Sequence, residues 1–336
     1  MHISKQSFAI MTFFAACAIV SALWLGRSAL TPPPGPAEKL SIAALSLPGA
    51  GLFFVAQEKG FFREQGLDVD LQKHSVGKLA LDSLLGGKAA LGIAGDTPLI
   101  FSILNGSKLD ILATVYRPNG GISITARKDR TPTPSDLRGK RLGVTFISSG
   151  QFVADTFLLV NGIPQADIVL LDMKQAEMVE ALVAGKIDAA CLWDPYLAEA
   201  RMKLGDKGIV FPNSGLYTFR LSLVANGGYA AQHPEQVRKV LAALKQAQRY
   251  IVEHPDDSLR IMSQATAIAA TTYKMFFDPS AYDIGLEQGL LLTLEDQTRW
   301  AIKHGFVKVD KIPNYLEFIK TDGLDSVSPE SVKIIR

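Results

Sequence analysis

Four places in this chain set a small, hydroxyl-bearing or acidic residue where an apolar run gives way to a helix. They are Leu47-Pro48-Gly49-Ala50-Gly51, Gly95-Asp96-Thr97, Ser148-Ser149-Gly150-Gln151 and Trp193-Asp194-Pro195. Residues of these types satisfy the first backbone N–H groups of a helix, and that end of a helix carries partial positive charge. Several such helix starts facing one cleft would hold a small anion without a buried arginine. Taken singly, an Asp, Ser or Thr there is equally an ordinary cap. Trp193 is harder to explain that way, because a large aromatic beside a cap must either pack or touch a ligand. Arg220, in a strand-like stretch, either pairs with a ligand anion or stands as an exposed or salt-bridged edge residue.

Other chemistries lack their residues. His2, His74, His233, His254 and His304 are scattered, with no metal-ligand spacing among them or to Cys191. Gly49-Ala50-Gly51 begins like a dinucleotide fingerprint, but Phe54 holds the third glycine position, and no glycine-rich loop ends in Gly-Lys-Ser/Thr. No Gly-x-Ser-x-Gly elbow is present. The reading therefore assigns no cofactor, no metal and no catalytic residue. Lys and Arg total 35 against 33 for Asp and Glu, a net of +2, which argues against nucleic acid as a partner. Arg138-Gly139-Lys140-Arg141 reads as a solvated turn before a strand.

The elements that must position these residues are clearest around Trp193. Ile187 to Leu192 reads as a strand covered on both faces. Asp194 suits the cap of the next helix, Pro195 its first position and Gly205 its end. Trp193 then stands at the carboxyl end of a buried strand, where open α/β sheets bind ligands. Further strands are expected at 40–45, 68–73, 89–94, 109–116, 122–126, 141–146, 168–171 and 217–225. Helices are expected at 52–59, 76–85, after Asp96, and at 151–160 and 175–184. Beyond Pro234 the chain reads as helical, at 235–253, 257–267, 294–304 and 313–320.

Residues 136–205 alternate strand and helix like a small parallel-sheet domain. Thr131-Pro-Thr-Pro-Ser-Asp136 holds two prolines and three hydroxyls and reads as a crossing between lobes, with the return near 217–225. The expected organisation is one lobe from 39–126 plus 223–336, with a second inserted at 127–222. A length of 336 residues at 48% hydrophobic content is enough for both cores.

The N-terminus carries Lys5, an apolar run from Phe8 to Gly26 and then Arg27. Residues 1–30 thus read as an export signal or a retained membrane anchor, the run approaching the roughly 20 residues that span a bilayer. Phe14-Ala15-Ala16-Cys17 loosely resembles a lipoprotein cleavage box, although apolar sequence continues after it. Residues 31–38 form a proline-rich spacer. The body beyond holds Cys191 alone, most simply a small buried side chain, so it can form no internal disulfide.

A resemblance joins these pieces. Glu58-Lys-Gly-Phe-Phe62 with Gly66-Leu67, Gly95-Asp-Thr-Pro98, Asp136-Leu-Arg-Gly-Lys140 with Gly143-Val144, Ala181-Leu-Val-Ala-Gly185 with Ile187-Asp-Ala189, and Trp193-Asp-Pro-Tyr196 resemble, in order and spacing, the nitrate/sulfonate/taurine group of ABC-transporter substrate-binding proteins. The resemblance implies an α/β, two-lobed periplasmic binding protein fold of type II, each lobe a mostly parallel sheet flanked by helices. It implies an exported, periplasmic, non-enzymatic protein with a monomeric body that delivers a small, anionic ligand to a permease and ATPase. One wall of the cleft would hold Leu47, Gly49, Ala50, Asp96 and Thr97, the other Ser148, Ser149, Gly150, Gln151, Trp193 and Asp194, with Arg220 nearby.

Phe146-Ile-Ser-Ser-Gly-Gln151 matches no one substrate subgroup of that family. Asp96 or Asp194 would neutralise the amine of an amino-sulfonate; for a purely anionic ligand both must be caps turned away. Two rival readings remain. One is a ligand sensor anchored through 8–26, the other an enzyme of the same fold acting on a thiamine- or menaquinone-pathway metabolite.

Overall fold

The computed structural model describes residues 37–213 and 215–335. The expected export segment or anchor, Cys17 and residues 31–36 of the spacer lie outside the described residues. Short apolar runs become strands, and the stretches between them, many closed by a glycine, become helices. In chain order these are β1 (Glu38–Leu45), α1 (Gly51–Glu58), β2 (Leu67–His74), α2 (Gly77–Leu85), β3 (Leu91–Gly95), α3 (Asp96–Leu104) and β4 (Leu109–Tyr116). Next come β5 (Ile122–Arg127), β6 (Arg141–Val144), α4 (Ser149–Val160), β7 (Val169–Asp172), α5 (Gln175–Val183), β8 (Ala189–Trp193), α6 (Tyr196–Leu204) and β9 (Gly208–Phe211). The chain closes with β10 (Leu221–Asn226) and the helices α7 (Pro234–Glu253), α8 (Pro255–Thr266) and α9 (Gln288–Lys303).

Two five-stranded sheets result, ordered β2-β1-β3-β10-β4 and β7-β6-β8-β5-β9. Both follow one plan. In the first, β10 runs antiparallel to β3 and β4; in the second, β5 runs antiparallel to β8 and β9. β1 with β3, β6 with β7 and β6 with β8 are parallel. The sheets are therefore mixed, each with one reversed strand next to a chain crossing. Along β8 the side chains alternate between two clusters: Ala189 and Cys191 pack with Val153 and Phe157, whereas Ala190 and Leu192 pack with Met178 and Leu182. Both faces of the strand are covered, as its near-continuous apolar sequence requires. Cys191 is fully buried, and burial pushes its thiol pKa up.

Several boundaries differ from those read in the sequence. β5 pairs with β8, register Ile124 to Cys191, so residues 122–126 belong to the second sheet and the outward crossing is 117–121. Gly120 there adopts φ +92, open to glycine and strained for other residues. The proline-rich stretch 131–136 instead turns the chain beside the second sheet. Its Thr133 and Asp136 form a capping box, and the Thr131 hydroxyl reaches the carbonyls of Arg127 and Asp188. Prolines and hydroxyls mark a turn but not the sheets it joins. The strand expected at 217–225 begins only at Leu221, because the Arg220 N–H turns to a side chain.

β9, four residues at a sheet edge, was not foreseen. At 313–320 the chain forms a short 3-10 turn, Tyr315–Glu317, and Ile319 then bridges to Ile111. On α2, Leu79 and Leu85 are exposed while Leu81 and Leu84 are buried. No helix among the described residues is long and apolar enough to cross a membrane.

Candidate functional site

β3 is buried along its whole length and runs directly into α3 through Gly95, whose extended backbone precedes the first turn. α3 has no side-chain cap. The Asp96 carboxylate turns away from its own helix: Oδ2 accepts from the Tyr217 hydroxyl at 2.9 Å and from the Arg220 backbone N–H at 3.2 Å. Asp96 is fully buried, and Oδ1 has no hydrogen-bond partner among the described residues. Burial pushes its pKa up to about 7, against the opposing pull of the Arg220 charge and the two hydrogen bonds. The reading of Asp96 as an ordinary cap thus fails, because its partners come from the returning chain.

Thr97, also buried, donates to Gln297 Oε1 on α9 at 2.6 Å and lies 2.8 Å from Ser149 Oγ. Ser149 opens α4, which is capped in the ordinary way: Ser148 Oγ accepts from the Gly150 N–H at 3.1 Å and donates to the Thr145 carbonyl at 2.6 Å. With Ser148 serving as cap, Ser149 is free to meet Thr97. The starts of two helices that follow strands of different sheets are thereby joined. A second link lies further along α4, where Asp155 Oδ2 accepts from Trp300 Nε1 at 2.9 Å and the Phe152 and Trp300 rings pack edge to face.

The loop before α4 is held in an uncommon shape. Ile147 has φ +52, unusual for a β-branched residue, and its N–H donates to Gln151 Oε1 at 2.7 Å. Gln151 is therefore buried and fastens the loop, while Phe146 and Ile147 stand 40% and 54% exposed. A Cβ on Gly150 would lie 3.3 Å from the Trp193 ring, so the bare start of α4 rests against the indole. Trp193 is half-buried, and its N–H donates to Gln175 Oε1 at 3.1 Å. α6 begins at Tyr196, one residue later than expected, with Pro195 just before it. Asp194 still caps it, accepting from the Ala198 N–H at 3.2 Å, and burial pushes its pKa up to about 6. Its charge also reaches across to Tyr116 at the end of β4 and helps raise that hydroxyl's pKa.

The Leu47 turn closes the same region. A Cβ on Gly49 would meet Leu221 at 2.1 Å and Tyr116 at 3.0 Å, so Gly49 and Ala50 are buried by packing and Leu47 alone of the three is partly exposed. Leu221 also touches Gly95, which places this turn beside the Asp96 junction. Arg220 is buried rather than an exposed edge residue, and its guanidinium donates to the Thr218 carbonyl at 3.0 Å and Thr293 Oγ1 at 2.9 Å.

The structure thus gathers Asp96, Thr97, Ser149 and Arg220 into one buried cluster. Gly150 joins Trp193, and Gly49 stands against Tyr116 and Leu221, with Leu47 and Ala50 in the same turn. Ser148, Gln151 and Asp194 act on their own loops. Tyr217, Gln297 and Gln175 were not foreseen. A tyrosine in a presumed strand and glutamines on helices carry no local signal.

The sequence profile of the family described as NMT1/THI5 like matches residues 48–258. The taurine-binding periplasmic protein of Escherichia coli (strain K12) is 26% identical over 209 residues, 60% of this chain and 63% of that one, so the match spans less than two thirds of that relative. The periplasmic aliphatic sulphonate binding protein SsuA from Escherichia coli superposes with a TM-score of 0.73 at 20% identity, covering 84% of this chain and 99% of the other. The periplasmic nitrate-binding protein NrtA from Synechocystis PCC 6803 does so with a TM-score of 0.66 at 14% identity, covering 89% and 90%. At these identities the structures speak to fold, and the fold is the two-lobed α/β architecture that the resemblance implied.

Proposed function

The chain belongs to the NMT1/THI5-like family, and on that premise we propose that it is an extracytoplasmic binding protein. It captures a small solute between two lobes and delivers it to a membrane permease coupled to an ATPase. One observation carries this reading. The starts of α3 and α4, at the carboxyl ends of strands from different sheets, meet through Thr97 and Ser149 at 2.8 Å. Ligands of open α/β sheets bind at such strand ends, where helix N–H groups favour negative charge.

In this reading the lobes are 39–116 with 221–335, and 122–211, and they hinge at 117–121 and 215–220. The anionic end of the solute lies at the start of α4, and its carbon skeleton lies on Trp193 and Phe146. The sulfonate, nitrate and taurine ligands named for its relatives are the first candidates. Residues 1–30 export the protein or anchor it, and the body acts as a monomer.

Thermal unfolding of the purified protein with nitrate, taurine, alkyl and aryl sulfonates, thiamine precursors and aromatic carboxylates tests the proposal. A ligand at 100 times its dissociation constant adds about 2.7 kcal/mol to stability, seen as a raised midpoint. The shift is expected to vanish in Trp193→Ala; a flat response to the whole panel would sink the reading.

A further inference from the structure

We infer that the ligand presents an N–H donor to Oδ1 of Asp96, so that the cleft selects amine-bearing solutes over purely anionic ones. This rests on the binding reading above and names the ligand chemistry of the same site.

Two other buried acids of this chain, Asp188 and Asp110, each face a cation. Asp188 accepts at both oxygens: from the N–H, Nε and guanidinium of Arg141 and from Arg130, all between 2.9 and 3.0 Å. Asp110 accepts from the Ala230 N–H at 2.9 Å and lies 4.0 Å from Lys320 Nζ. Asp96 is more deeply buried, yet only Oδ2 is served, by Tyr217 and the Arg220 backbone, while Oδ1 has no partner among the described residues. The guanidinium of Arg220 does not supply the missing contact; it donates to Thr218 and Thr293. A buried carboxylate oxygen left without a donor is expensive, and it persists where something else fills it.

The neighbouring groups narrow what that is. Gln297, fully buried, spends its Oε1 on Thr97. Its Nε2 lies close enough to the Tyr217 hydroxyl to lower that group's pKa but makes no hydrogen bond of ordinary geometry. An unfilled amide donor and a carboxylate with one unfilled oxygen thus both adjoin the Tyr217 hydroxyl.

The two helix starts also differ in charge. α3 opens with Asp96, which repels an anion, whereas α4 has no acid in its first turn. A solute with both charges fits this division, its anionic end at Ser149 and Gly150 and its ammonium at Asp96.

Three solutes of one chain length test this by isothermal titration calorimetry: an ω-amino alkanesulfonate, its ω-hydroxy analogue and the plain alkanesulfonate. The amino compound is expected to bind at least about tenfold more tightly than either other, the scale of a charge-assisted hydrogen bond. Asp96→Asn keeps an acceptor for Tyr217 and Arg220 and should fold, and it is expected to reduce the preference to within about threefold.

Proton release is a second readout. Asp96, with a pKa near 7, must ionise to receive an ammonium group, so paired buffers of different ionisation enthalpy should report about half a proton released at pH 7, fading above pH 8. The groups acting on Asp96 are Tyr217, whose pKa burial raises far above that range, and the guanidinium of Arg220. Asp194, near 6, titrates lower.

Equal affinity for the three sulfonates, or an unchanged preference in Asp96→Asn, would overturn the inference while leaving the binding role intact. So would tight binding of nitrate or an aryl sulfonate with none of the three bound. If no solute of the wider panel binds, both readings fall.

Discussion

The β3–α3 and β8–α6 junctions look alike in sequence: a buried strand ends and an aspartate stands at the helix start. Asp194 does what that position suggests and accepts from the Ala198 N–H of its own helix. Asp96 instead leaves α3 without a side-chain cap and accepts from Tyr217 and Arg220, more than a hundred residues further along the chain. Both carboxylates are raised in pKa by burial, to about 6 and about 7, but only one of them supports its own helix. Residue type at a junction specifies that a polar group is needed there. Which partner it takes depends on what the returning chain brings past it.

The largest effect that could break this comparison is a pH dependence. Asp96 holds its proton to about pH 7 when folded and to about 3.8 when unfolded. Folding takes up a proton in between, so this contribution is full below pH 4 and is lost as pH rises through 7. Asp96→Asn lacks it, so the stability of the variant relative to the native chain should rise by on the order of 4 kcal/mol across that window. Urea unfolding at pH 4.5 and 7.5 measures it, and a difference independent of pH would show that the carboxylate is not buried as described.

Asp188 sharpens the contrast with the opposite sign. Arg141 and Arg130 hold its pKa well below the usual carboxylate range, so its stabilisation is present above about pH 4 and lost only as pH falls below that. Asp188→Asn should cost about 2 kcal/mol at pH 7, discounted for its partly exposed arginine partners. The same unfolding series run down to pH 3 should see that cost shrink; a constant cost would argue for a packing effect instead.

Thr97→Val removes the hydroxyl that joins Ser149 to Gln297. The expected loss is about 1–2 kcal/mol, with two buried partners left short of a hydrogen bond. Asp194→Ala should cost least, about 1 kcal/mol for a lost cap. Thermal midpoints of the two variants side by side rank the junctions, and a larger loss at Asp194 would reverse the comparison.

Much of the fold was legible because its causes are local. Four buried residues of β8, Ala189 to Leu192, with the helix end at Gly205, whose φ of +52 stops α6, follow from apolar runs and one glycine. The alternation over 136–205 was equally plain. The sheet to which β5 belongs was not, because Ile122–Arg127 is an apolar run that would pair as well in either sheet, and only the geometry of the 117–121 crossing delivers it to β8. The expected helix at 313–320 failed similarly: a short apolar stretch after Pro313 was claimed by a bridge from Ile319 to β4. At the site, helix starts were found from caps and glycines, whereas Gln175, Tyr217 and Gln297 were missed because their roles depend on distant partners.

From its sequence alone, then, this protein determined its strands and helices, the polar junctions between them and the export-like apolar segment, since each depends on neighbours a few residues away. The tertiary structure decided which acid caps a helix, which one is buried with an unfilled oxygen, and which two helix starts meet. Those are choices among partners 52 to 200 residues apart, made only when the chain has packed.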